Sequence, residues 1–151
     1  MKGMARVDHL PGFALWGPRL ERLVERPEPL WIFGPAGCGA STLASELASR
    51  RGTAFLDDAE THPDLKAWLA GHPRAVCAAH GPPPEEAAVC LPLALPALED
   101  DPDCIPKALA VMAEAEGITE PLPDVLGQLP CPGGLRALRN RLLRWKLLGQ
   151  W

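Results

Sequence analysis

The chain of 151 residues has no apolar run that approaches the ~20 residues needed to cross a bilayer. Its N-terminal stretch carries Lys2, Arg6, Asp8 and His9 with no hydrophobic segment between them, so neither a secretory leader nor a membrane partner is expected. No internal repeat is present. A disulfide framework is disfavoured as well, because the five cysteines, at 38, 77, 90, 104 and 131, are odd in number and scattered. They read as buried thiols in a reducing cytoplasm. Cys77 and His80 have the spacing of a ligand pair, but no second pair completes a tetrahedral set, and a zinc site is not expected.

Hydrophobic residues make up 47% of the sequence, enough to build the core of one compact unit. The eighteen prolines cluster at 82–84, 92–106 and 121–132, where they read as stiff connections between short elements. Residues 29–33 have the character of a short buried strand. Residues 41–50 follow with Leu43, Ala44, Leu47 and Ala48 on one helical face. Strands are also expected within 52–57, 73–80 and 91–96, and helices near 104–116, 121–129 and 133–148.

Between the first strand and the first helix lies Gly34-Pro35-Ala36-Gly37-Cys38-Gly39-Ala40-Ser41, followed by Thr42. It fits the phosphate-loop pattern G-x-x-x-x-G-K-S/T at every fixed position but one: Ala40 stands where the pattern has lysine. Strand, glycine loop and helix in that order form an anion cradle, since loop amides and a helix N-terminus point at the same place. The plainer reading is a strand-to-helix turn that merely needs glycine. A lysine–phosphate contact contributes roughly 1.5–3 kcal/mol, so its loss weakens nucleotide binding by about ten- to a hundredfold. Lys66 and Arg136 are the basic residues considered as replacements. A second signal is the short apolar strand from Gly52 that ends in Asp57 and Asp58. Such a pair is either a turn or helix cap, or a magnesium-holding aspartate followed by a water-activating acid.

With these residues in view, the chain resembles the AAA+ domain of the bacterial sigma-54 enhancer-binding transcriptional activators, in five ordered blocks. The glycine loop matches the family's Walker A motif. Residues 52–60 resemble its G-G-T-L-F-L-D-E-x-x-E block, which puts Asp57 at the metal-holding position and Asp58 at that of the catalytic glutamate. Residues 73–80 are similar to the sensor 1 strand, ending at His80. Residues 95–106 match L-P-P-L-R-E-R-x-E-D-I-P, and residues 131–140 resemble W-P-G-N-V-R-E-L-R-N, which puts Arg136 at sensor 2. The resemblance implies an α/β fold of the P-loop NTPase type, a parallel sheet of about four strands with flanking helices. Residues 1–98 would be a trimmed nucleotide-binding core and residues 99–151 a small helical lid. It also implies a nucleotide site built from residues 34–42 and Arg136, with magnesium on Ser41 and Asp57 if ATP or ADP binds.

The departures fall on the working parts. No G-A-F-T-G-A loop occurs, and Arg51 leads straight into Gly52 where the family carries its sigma-engaging insert. Residues 81–89 contain no arginine to act on a neighbouring subunit. Aspartate at position 58 sets the carboxylate about one bond length back, and an error of ~1 Å in catalytic geometry costs about a hundredfold. Two function classes follow: a non-catalytic, AAA+-like protein-interaction module that requires no cofactor, or an ATP-binding protein and weak ATPase with Asp58 as its acid. The segment after Asp124 carries Arg136, Arg139, Arg141, Arg144 and Lys146 and no acid, against ten basic and nineteen acidic residues before it. Its arginines read as the wet face of a helix whose buried stripe is Leu135, Leu138, Leu142 and Trp145, with protein binding and nucleic-acid binding as the other readings, the last disfavoured. As a protein-binding face, Arg139, Arg141 and Arg144, with Trp151 beside them, would meet the acidic Glu99–Asp103 corner of another copy or an acidic partner.

Overall fold

A computed structural model describes residues 7–149. Lys2, Arg6 and Trp151 lie outside the described residues. The elements are α1 (Phe13–Trp16), α2 (Leu20–Glu25), β1 (Leu30–Phe33), α3 (Ala40–Arg51), β2 (Phe55–Leu56), α4 (Leu65–Gly71), β3 (Val76–Ala79), β4 (Leu91–Ala94), α5 (Ile105–Ala115) and α6 (Gly134–Leu148). The four strands form one parallel sheet in the order β2-β3-β1-β4, with Leu30 opposite both Val76 and Leu91, and Phe55 opposite Val76.

Alternation along the central strands feeds two apolar layers. Leu30, Ile32, Val76 and Ala78 face one side and pack with Leu43, Ala44, Leu47 and Ala48 of α3. Trp31, Cys77 and Ala79 face the other side and pack with Leu65 and Leu69 of α4. Burial on both faces is what parallel strands require, and it explains why β1 and β3 read as continuous apolar runs. Pro92 interrupts β4, and β4 is an edge strand, where a missing N–H is tolerated. The first layer continues into α5 and α6 through Ile105, Leu109, Leu138 and Leu142, so one core crosses residue 98.

A buried arginine closes the end of α3. Arg51 donates to the carbonyls of Leu23, Glu28 and Arg74 at 2.7–3.2 Å, tying α2 and two loops together. Burial, with repulsion from Arg74 second, lowers its guanidinium to about 10, so it remains charged at neutral pH.

Two expectations need correction. The helix near 121–129 is a single 3₁₀ turn, Asp124–Gly127, because Pro121, Pro123 and Pro130 leave too few free amides for more. The strand from Gly52 shrinks to Phe55 and Leu56, since Gly52 is the left-handed cap of α3, the Thr53 amide still donates to the Ala48 carbonyl, and the chain turns away at Asp57. Among the described residues, no helix is long and apolar enough to cross a membrane.

Candidate functional site

Three of the four strands deliver candidate residues at the carboxyl edge of the sheet: Gly34 after β1, Asp57 and Asp58 after β2, and His80 after β3. This is where open parallel sheets place their ligands. The edge opens into a cleft of about 350 Å³ that contains every residue from Gly34 to Thr42, together with Asp57, Asp58, His80 and Arg136. Nearly every site position expected from sequence therefore meets in one place. Lys66 does not. It is exposed on α4, outside the cleft lining, which leaves Arg136 as the better placed of the two basic candidates.

Backbone sterics shape the loop side. A Cβ on Gly34 would come within 2.6 Å of the Leu95 carbonyl, and one on Gly37 (φ 77°) within 1.9 Å of the Gly133 carbonyl. Gly39 (φ 90°) precedes α3, no side chain caps that helix, and its first turn holds no acid. The leading amides of a twelve-residue helix therefore face the cleft with a favourable dipole. Cys38 fills the space beneath Gly34, and burial raises its thiol, making it a protonated filler and not a nucleophile. Ala40 contributes only a methyl group where the pattern has a cation.

On the acidic side, the Ser41 hydroxyl donates to Asp57 Oδ1 at 2.7 Å, bringing the two candidate magnesium ligands together. The Asp58 amide donates to the same oxygen at 3.0 Å, and Asp58 adopts a left-handed conformation (φ 47°). Glu60 accepts from the His80 amide at 2.6 Å, while His80 Nδ1 lies 3.6 Å from Glu60 Oε1 and 3.9 Å from Asp58 Oδ1. Asp58, Glu60 and His80 thus form a cluster with metal-capable atoms within 4.8 Å of one another, all exposed.

The lid side reaches the loop directly. The Leu135 amide, in the first turn of α6, donates to the Gly37 carbonyl at 2.8 Å. Arg136 follows into the cleft, and so does Arg139, one turn further on. Arg139, expected from sequence on a partner-facing surface, stays exposed there. Its guanidinium lies 3.4 Å from Glu116, which also accepts from Lys146 at 3.3 Å. Arg141 needs a firmer correction: it donates to the carbonyls of Leu126, Gln128 and Pro130 at 2.7–3.3 Å, holding the 126–130 segment against α6. Arg144 remains an exposed residue of that face. The buried stripe Leu135, Leu138 and Leu142, with Trp145 half-buried, is as read from sequence. Leu135, from the 131–140 block, lines the cleft with His9, Leu10 and Met112. No motif marked these last three, because they come from two separate segments.

No family model matches the chain, and no curated protein matches it by sequence. Solved structures do. NtrX from Brucella abortus in complex with ATP is similar at 18% identity with a TM-score of 0.66, over 93% of this chain and 51% of that one. NtrX in complex with ADP is similar at 17% identity and a TM-score of 0.67, over 92% and 50%. The chain spans about half the length of these structures. The fold shared with these structures is a parallel four-stranded sheet flanked by helices.

Proposed function

We propose that this chain is a non-catalytic AAA+-like regulatory module, a miniature relative of the sigma-54 activators, that works by binding a protein partner in the cytoplasm and keeps a weakened nucleotide site. The observation that carries this reading is the cleft itself, where the glycine cradle is intact and Ala40 offers no charge to the outer phosphates. Asp58 in place of glutamate, and residues 81–89 without arginine, remove the means of turnover while leaving the fold undisturbed. Residues 1–98 act as the core and 99–151 as the lid in this reading. The basic residues of α6 give little support to nucleic-acid binding, because Arg139, Arg141 and Lys146 are engaged within the chain.

A second reading, an ATP-binding protein or weak ATPase, draws on the Ser41–Asp57 hydrogen bond and on Arg136 in the cleft. It is supported too by the similarity to NtrX structures that hold ATP and ADP. Calorimetry with ATP and ADP, with and without magnesium, and a phosphate-release assay separate the two. The proposed function expects weak or no binding and no turnover above background. Steady phosphate release that disappears in Asp57→Ala overturns it.

A further inference from the structure

The lid carries an apolar groove and an apolar knob that cannot meet within one chain. The groove, of about 550 Å³, is lined by Ile105, Pro106 and Leu109 of α5 and by Leu122, Gly127 and Leu129. The knob is the last turn of α6, where Leu147 and Leu148 are 73% and 68% exposed. Lys146 in that turn donates to the Glu116 carbonyl at 2.8 Å, which fixes the knob at the C-terminal end of α5. The groove lies at the N-terminal end of the same eleven-residue helix, roughly 16 Å away at 1.5 Å per residue.

Charge divides between them in the same way. Asp124, exposed, stands in the groove wall, and exposed Asp103 directly follows Pro102 of the lining. The knob belongs to a segment with no acid after Asp124, and Arg144, Leu147 and Leu148 fall at i, i+3 and i+4 on one helical face. A helix end that carries two leucines behind an arginine suits an apolar groove with an acidic rim, in the manner of helix-in-groove recognition. We infer that the occupant of the groove is the α6 C-terminal turn of a second copy of this chain, giving a head-to-tail contact through lids, with the two leucines in the groove and Arg144 against the acidic rim. The contact uses different patches on its two sides, so a pair of copies retains one open groove and one open knob. It is small, belongs with weak transient interfaces, and weakens with salt. It does not depend on whether the cleft takes nucleotide.

Sedimentation of the full chain over a concentration series extending to the millimolar range, at low and high salt, tests this. The wild type should self-associate reversibly and less strongly at high salt. The double variant Leu147→Glu, Leu148→Glu lacks the knob, and Leu129→Arg puts a cation into the groove; all three positions are exposed, so the fold is retained. Each variant alone should have its dissociation constant raised by about tenfold or more. An equimolar mixture of the two should form a one-to-one complex that grows no further, because one intact knob then meets one intact groove. A wild type that stays monomeric throughout, a variant that associates like the wild type, or a mixture that forms no complex overturns the proposal.

Discussion

The two sides of the cleft are built on different terms. The loop side is specified by backbone: Gly34, Gly37 and Gly39 occupy places where any side chain collides with a neighbouring carbonyl or with Leu10. The opposite side is specified by exposed side chains, Asp57, Asp58 and His80 among them, whose replacement disturbs little packing. The chain has the first set in full, and Ala40, its one departure from the phosphate-loop pattern, alters charge without touching the backbone. Shape here is held by sterics that also serve stability, whereas the exposed acidic side sets charge with little packing.

The largest expected effect comes from attacking the sterically fixed side. Gly37→Val adds a Cβ that would sit 1.9 Å from the Gly133 carbonyl, at a φ of 77° that a β-branched residue does not adopt. It should also break the Leu135–Gly37 hydrogen bond. Strain, overpacking and the lost bond together cost about 3–5 kcal/mol, or a fall in melting temperature of roughly 6–20 °C for a chain of this size. Thermal denaturation that shows no shift would mean the loop and lid are not docked.

Arg141→Ala breaks the comparison deliberately, since it is a charged residue that acts as scaffold. Removing it leaves the carbonyls of Leu126, Gln128 and Pro130 without their donor, at a cost of about 1.5–3 kcal/mol in a chemical-denaturation measurement. A loss within ~0.5 kcal/mol would return Arg141 to the class of solvated surface residues.

Much of this was legible in the sequence and some was not, for physical reasons. β1, β3 and α3 announce themselves because two-sided burial and helical periodicity are local properties, and the glycine loop because its spacing is fixed by one short turn. The scaffold role of Arg141 was not legible, since its three acceptors lie 11–15 residues earlier, in and just after a short 3₁₀ turn. That Arg139 also lines the cleft was not legible, because only the docking of α6 onto Gly37 brings it there. The start of β2 was hidden, because an apolar run does not reveal that Gly52 ends α3 in the left-handed region.

Ala40→Lys tests the charged side of the cleft from the opposite direction. It restores the one cation that the phosphate-loop pattern lacks here, so ATP affinity should rise by about ten- to a hundredfold in calorimetry. The melting temperature without nucleotide should stay put, since residue 40 lines an open cleft. If neither wild type nor variant binds nucleotide, the cradle does not act as one and the glycines serve the lid contact alone.

The smallest effect is expected at Arg144, and it sharpens the distinction within α6. Arg141 and Arg144 lie one turn apart on the same helix with the same charge, yet the first is half-buried against carbonyls and the second is exposed. An exposed cation on a helix adds a few tenths of a kcal/mol at most to stability, through the helix dipole and screened surface pairs. Arg144→Ala should therefore change the unfolding free energy by less than ~0.5 kcal/mol, while Arg141→Ala changes it several times more. Equal losses at the two positions would mean that α6 owes its place to overall charge and not to the carbonyls that Arg141 holds.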